Sequence, residues 1–351
     1  MPMTDGIRAD HRPSRNRVGM QEVAARAGVA LSSVSRVLSR HPDVSDVMRN
    51  KVIDAVAALG YEPNLLAQSL RRGASMTVGF VVGNISNPLL SEIGLGAELE
   101  LRSAGYSMLL ANSMDDATLD NAHIRLFAQR RVDGLLLSLA SETSQATIEA
   151  LSRIDLPVVM VDREACPTPM TSSVLTDHAG GISAAVEHLV ELGHRRIALV
   201  NGRSDLRPAR ERASALRRVC RRYPHVTGVV RSGAFTSAHG AAATAAMLDN
   251  AAPPTAIIAG NNQILVGVLR VLRERNVSIP ADVSLITCDE SPLSEFVEPP
   301  LATIHRDPQL MGSTAAELLL ELFAGGSVRT AVLPASFRAA DSCAPPRDGR
   351  Q

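Results

Sequence analysis

Lysine is almost missing from this chain. Lys51 is the only one, and the other 35 of its 36 basic residues are arginine. That excludes a Walker A loop, a Schiff-base lysine and any catalytic lysine in the long C-terminal part. Long apolar runs are lacking as well. None approaches the roughly eighteen residues of a membrane span, and the N-terminus is polar, so neither a signal peptide nor membrane association is expected. Four cysteines (Cys166, Cys220, Cys288 and Cys343) lie far apart with no CxxC pair. They read as reduced thiols of a cytoplasmic protein rather than as disulfides or metal ligands. Enzyme signatures are missing too: no GxSxG, no HExxH and no GxGxxG, since Gly94-Leu95-Gly96 lies in a helical pattern without the third glycine. His188 and His194 are six residues apart across a helix end, a spacing that suits a helix-to-strand corner better than joint metal ligation. No metal and no cofactor is expected.

The chain also lacks net charge, which alone argues against nucleic acid. The distribution answers that objection. Residues 1–72 hold eleven basic side chains against seven acidic ones, so the remainder carries the matching negative excess. A basic head on an acidic body directs the head towards phosphate. At 351 residues and 45% apolar, the chain has room for two or three domains and a sizeable core.

What is present is organised around Val23 to Leu38, VAARAGVALSSVSRVL. A first helix over Gln21–Ala27 turns Val23, Ala24 and Ala27 inward, and Gly28 supplies the positive-φ turn. A second helix over about Leu31–Leu38 buries Val34, Val37 and Leu38. Its other face carries Leu31, Ser32, Ser33, Ser35 and Arg36, short or hydrogen-bonding side chains plus one guanidinium able to reach a guanine edge. A helical hairpin in a larger core would share the apolar pattern. A third amphipathic helix, about Asp46–Leu59, capped by Ser45 and stopped by Gly60, favours a helix-turn-helix.

AGVALSSVSRVL, then VS, then LGYEPNLLAQSLR resembles the headpiece and hinge of the lactose-repressor (LacI) family of bacterial transcription regulators, and the match continues through nearly all of the chain. The expected organisation is a disordered basic tail (1–17), an all-α headpiece (18–63) and a linker (64–73). A two-lobed α/β domain (74–339) and a flexible tail (340–351) follow. The linker could be a plain tether. The resemblance implies instead a hinge helix that folds on DNA, with Asn64, Ala67 and Leu70 among its contacts and paired Leu70 side chains inserted into the minor groove. Two departures weaken the headpiece: Gly19 and Ala30 stand where capping Ser or Thr is usual, each costing about 1 kcal/mol of helix stability.

From Met76 onward, short apolar runs (VGFVV, SMLLA, GLLLSL, PVVMV, then IALVN, TGVV, AIIAG, SLITC, LATI) alternate with helix-like segments. Uniformly apolar strands between helices mean parallel sheets covered on both faces, and two such series mean two doubly wound lobes. This is similar to the periplasmic sugar-binding-protein architecture that the family carries, and implies lobe crossovers near 175, 304 and 333.

Polar residues stand at the strand ends: Asp162 after VVMV, Arg210 and Arg212 after IALVN, Asn261 and Asn262 after AIIAG, Asp289 and Glu290 after SLITC. A hydroxyl-rich ligand needs such planar, multidentate partners. Helix capping or surface solvation would explain each residue singly. By resemblance, Arg212, Asn261 and Asp289 fall on the family's main effector contacts and Phe235 on its stacking aromatic. Leu89 and Leu90 stand where many members have two aromatics, which leaves the ligand's identity open. Asn262, Glu290 and Ala215 also depart from the family's usual residues.

Two segments, Leu89–Leu101 and Ile264–Leu272, are too apolar for solvent-facing helices, and the resemblance places a dimer interface near both. No heptad repeat follows Ala339, so a homodimer is expected rather than a tetramer. The resulting expectation is a cytoplasmic, dimeric, sequence-specific DNA-binding regulator, a repressor of a pseudo-palindromic operator, controlled by a sugar or sugar derivative. A transport solute-binding protein would leave residues 18–72 without a use. An enzyme on the same two-lobed scaffold would lack a nucleophile–base set.

Overall fold

The structure is a computed structural model that describes residues 18–39, 41–61, 73–164, 170–290 and 296–347. It divides into two compact units, one up to Ser75 and one from Met76 onward.

The described residues of the first unit hold three helices, α1 (Met20–Ala27), α2 (Leu31–Leu38) and α3 (Asp46–Leu59). Gly28 and Gly60 end α1 and α3 at φ 63° and 58°, the left-handed caps that a Cβ would disfavour. Ser45 accepts from Met48 N at the start of α3. The missing cap at Gly19 is replaced from inside the helix, because Glu22 Oε2 accepts from Gly19 N at 2.9 Å. Ala30 has no side-chain cap hydrogen bond. Val23, Ala24, Val34, Val37, Val44, Val52 and Ala55 form the core of this unit. The linker residues Asn64, Ala67 and Leu70, and the 1–17 tail, lie outside the described residues.

The second unit contains two six-stranded sheets. The first has order β11-β5-β4-β3-β1-β2, from β1 (Thr77–Val82), β2 (Ser107–Asn112), β3 (Gly134–Ser138), β4 (Val158–Val161), β5 (Thr171–Thr176) and β11 (Thr330–Leu333). The second has order β12-β10-β9-β8-β6-β7, from β6 (Arg196–Asn201), β7 (Thr227–Ser232), β8 (Ala256–Ala259), β9 (Ser284–Cys288), β10 (Ala302–His305) and β12 (Ser336–Arg338). Central strands β3, β4, β8 and β9 are buried at every position, as covered parallel sheets require. One pair departs from the all-parallel expectation: β12 runs antiparallel to β10, because it is the returning end of the chain on a sheet edge.

Among the described residues, four helices belong to the first lobe: α4 (Pro88–Ser103), α5 (Ala117–Gln129), α6 (Gln145–Ser152) and α11 (Pro308–Phe323). The second lobe carries α7 (His178–Glu191), α8 (Arg207–Arg222), α9 (Ser237–Leu248) and α10 (Asn262–Glu274). The chain changes lobe after β5, after β10 and between β11 and β12.

The expectation of a flexible tail over 340–351 is corrected for its described part, up to residue 347; residues 348–351 lie outside the described residues. Ser342 is fully buried; its Oγ donates to Leu285 O and accepts from Ala302 N, while Leu285 N donates to Ser342 O. The segment completes backbone hydrogen bonding beside β9, which its polar, proline-rich composition did not reveal. His194 helps hold it there, bonded to Thr255 Oγ1, Ser284 Oγ and Ala344 O at 2.9–3.0 Å.

Candidate effector site

In open parallel sheets, side chains that meet a ligand come from the carboxyl ends of strands. Asp162 follows β4 and Asp289 follows β9, one in each lobe. Both are non-glycine residues at positive φ, 52° and 72°. Backbone strain of this kind is held only where the surroundings over-determine it, and it collects at functional sites. Asn261 caps α10, its Oδ1 accepting from Ile264 N at 2.8 Å, which leaves its amide N–H groups for other partners. Arg212 projects from the second turn of α8, and Pro208 from the first.

These residues line one small cavity of about 60 Å³ between the lobes. All seven side chains singled out for an effector, Leu89, Leu90, Asp162, Arg212, Phe235, Asn261 and Asp289, stand in its wall. Leu89, Leu90 and Phe235 are half-buried; the polar four are at most 5% exposed. Further charged or polar lining comes from Asn84, Asn87, Asp115, Ser138, Arg163, Gln263 and Arg306. Arg210, also singled out at a strand end, points to the rim instead. It pairs with Glu142 at 2.8 Å and Glu164 at 2.6 Å, joining the lobes at the lip of the cleft. Asn262 lines a different groove, and its side-chain amide has no partner among the described residues.

The main residue that the sequence did not flag is Arg306. It lies just past β10 where the chain recrosses to the first lobe, and it is 8% exposed. Its Nε and Nη2 donate to the two oxygens of Asp289 at 2.6 and 3.3 Å, and its Nη1 donates to Asp162 Oδ2 at 2.6 Å and Thr176 Oγ1 at 3.1 Å. One guanidinium therefore ties a carboxylate of each lobe. The rule that selected the other positions, a polar residue immediately beyond a buried strand, applies to LATIHR equally well. His178 was missed because the strand before it, TSSVLT, is not an apolar run.

Asp162 is saturated. It accepts from Arg306, from Thr176 N at 3.2 Å and from His178 Nε2 at 3.0–3.1 Å, and Arg207 Nη1 stands 3.7 Å away. Burial alone would raise its carboxyl; His178 and Arg306 overcome that and hold it well below the usual carboxylate range. Asp289 is likewise lowered, burial being outweighed by Arg306 and Arg212. Burial pushes His178 down to about 4, so the ring is neutral near pH 7 and donates Nε2–H to Asp162.

In the first unit, Leu31, Ser32 and Arg36 are exposed along α2, opposite buried Val34 and Val37; Ser33 is half-buried. A helix that presents such a face beyond a left-handed glycine turn is suited to a groove of duplex DNA.

Comparison with known proteins places both units. Residues 19–64 match the family described as bacterial regulatory proteins, lacI family, and residues 186–343 match the periplasmic binding protein-like domain. The ribose operon repressor of Escherichia coli (strain K12) is 34% identical over 306 residues, covering 86% of this chain and 92% of that protein. The chain belongs to the lacI family of bacterial regulatory proteins. Among solved structures, the lac repressor dimer bound to operator and the anti-inducer ONPF aligns with a TM-score of 0.84 and 28% identity, covering 94% of this chain and all of that one. A LacI family transcriptional regulator from Enterococcus faecium with bound ribose aligns with a TM-score of 0.69 and 28% identity, over 77% of this chain and 99% of that one.

Proposed function

We propose that this lacI-family chain is a non-enzymatic, cytoplasmic transcription repressor. It binds a two-fold symmetric operator as a homodimer, and a sugar or sugar derivative held between the lobes of its second unit sets its affinity for that operator. The observation that carries the effector part is the convergence of seven strand-end and helix-start side chains from both lobes on one cavity. Such a wall combines apolar cover (Leu89, Leu90, Phe235) with hydrogen-bonding groups (Arg212, Asn261, Asp289), the composition that a polyhydroxylated ligand requires. Leu31, Ser32, Ser33 and Arg36 on α2 carry the base and backbone contacts, joined by Asn64, Ala67 and Leu70 of the linker.

Exposed apolar side chains support the dimer. Leu95 and Leu99 on α4 and Val266 on α10 are 37–46% exposed, on helices otherwise packed into the lobes. A closed two-fold dimer presents two headpieces to two half-sites. Selection of the full-length protein against random duplex DNA tests the whole reading. The expected result is enrichment of one sequence with two inverted half-sites. A single half-site would remove the dimer, and no enrichment at all would remove sequence-specific binding.

A further inference from the structure

Of the second-lobe helices α7 to α10, three open under a cap from the residue just before them. Asp177 accepts from Gly180 N for α7, Thr236 from His239 N for α9 and Asn261 from Ile264 N for α10. α8 does not, because Leu206 holds that position and its side chain has no oxygen. Pro208 has no N–H to satisfy, and Ala209 N and Arg210 N both donate to Leu206 O at 3.1 Å. One donor of the first turn is left over, Arg207 N, and it is met from the other lobe. Glu142, in the segment after β3, accepts it on Oε2 at 2.9 Å. The same oxygen takes Arg210 Nη1 at 2.8 Å, and Oε1 accepts from Glu164 N at 3.0 Å. The Glu142 side chain is 6% exposed, so its charge is almost fully withdrawn from water.

A carboxylate at a helix start meets both an unpaired N–H and the positive end of the helix dipole. Parting the lobes would leave Arg207 N without this acceptor and strip Glu142 of both second-lobe donors, keeping Glu164 N. α8 is also the helix that brings Pro208 and Arg212 to the cavity wall, within its first two turns. We infer that Glu142 is a positioning residue for the cavity. It is a latch on the first lobe that completes the start of α8 in the second, so that closing the cleft and fixing Pro208 and Arg212 are one event. Arg207 reinforces the arrangement, since its Nη1 donates to Thr176 O at 3.0 Å, at the end of β5 where the chain first leaves the first lobe. The consequence for an effector rests on reading the cavity as its site: a ligand that favours closure is assisted by the cap, and one that parts the lobes must give the cap up.

The latch is tested in the full-length protein without any ligand, so its failure leaves the effector reading standing. Hydrogen–deuterium exchange, followed by mass spectrometry, is read on peptides covering residues 203–212 and, as a control, 236–245 at the start of α9. In Glu142→Ala the first-turn amides of α8 should exchange roughly 2–30-fold faster, the range that a lost cap produces, with the start of α9 unchanged. Glu142→Gln should lie between the two proteins, because its amide oxygen still accepts from Arg207 N but no longer pairs as a charge with Arg210. Equal acceleration at both helix starts would make Glu142 a general support of the unit, and no acceleration would show α8 to be independent of the first lobe; either overturns the inference. Dependence on closure is read with cysteines in place of Ser141 and Asp205, whose side chains meet across the lobes at 3.4 Å. Oxidation to the 141–205 disulfide, verified by peptide mass, should slow exchange at the start of α8 at least about threefold when Glu142 is present, and leave it unchanged in Glu142→Ala. A disulfide that forms without slowing α8, or that fails to form because the lobes stand apart in solution, overturns the latch.

Discussion

On α2, alternate exposure separates two jobs within eight residues. Val34 and Val37 are at most 5% exposed and fix the helix, whereas Arg36 is exposed. Arg36→Ala should therefore leave folding intact and cost roughly 1–3 kcal/mol at the specific operator, with little loss on random DNA. Filter binding to both DNAs checks it; equal loss on each would mark Arg36 as a phosphate contact. Buried histidines set the acid response. Burial holds His178 and His194 at about 4, below the 6.5 of a free imidazole, so the unfolded chain takes up those protons first. Stability should then fall as pH drops from about 6.5 towards 4, and rise again on return. Asp162 and Asp289, both lowered, continue the loss once pH passes below 3.8; Asp120, raised by its burial, opposes it just above that value. Thermal melts between pH 4 and 7 read the slope directly. His194→Gln, whose amide can still donate to Ala344 O, should flatten part of it, and an unchanged slope would assign the effect elsewhere.

Helix pairs fix each lobe through glycines at backbone contact. In the first lobe, a Cβ on Gly312 of α11 would collide with the Ile93 carbonyl of α4, and one on Gly96 would collide with the Gln309 carbonyl. The second lobe repeats the device, with Gly240 of α9 against Ile264 and Gly267 of α10 against Ser237. Backbone atoms cannot move aside as a side chain can, so Gly312→Ala should destabilise the second unit by about 1–3 kcal/mol. Chemical denaturation of the full chain measures this, and a loss under about 0.5 kcal/mol would mean that the crossing relaxes freely. The same glycines show what a sequence conceals. Gly94-Leu95-Gly96 is visible as a helical pattern, yet nothing in it says which helix comes close. Strands that are apolar at every position were legible because burial on both faces leaves no alternation to misread. TSSVLT (β5), TAVL (β11) and SFR (β12) were not, since β5 is largely polar and β11 and β12 are short returning strands. In the site, residues that end apolar strands could be placed one by one. The pairing of Arg306 with carboxylates 17 and 144 residues away could not, because it depends on how two lobes close.

For the whole molecule, the question is how occupancy of a small cavity could be felt at an operator. The polar contacts that hold the lobes of the second unit together include two sets of ion pairs: Arg306 between Asp162 and Asp289 inside, and Arg210 with Glu142 and Glu164 at the lip. A ligand seated among Leu89, Arg212 and Asp289 touches both lobes and must alter the balance of these contacts. It can shift DNA affinity only by the difference in its own affinity for the two arrangements. Coupling of that kind is typically about 1–3 kcal/mol, a factor of roughly 5–150, and it is reciprocal. Saturating effector should therefore change operator affinity within that range, and operator DNA should change effector affinity by the same factor. Phe235 makes the cleanest variant, since its half-buried ring lies against Gly202 in the cavity wall and takes part in neither set of polar contacts. Phe235→Ala should weaken effector binding by roughly 2–3 kcal/mol through lost apolar cover. Its operator affinity without effector should equal that of the unmodified protein, while the response to effector moves to higher ligand concentration with its full amplitude kept. Operator titrations at several effector concentrations distinguish the outcomes. A reduced amplitude at saturation would place Phe235 in the coupling itself, and altered affinity in the absence of effector would show that the cavity wall bears on DNA binding even when empty.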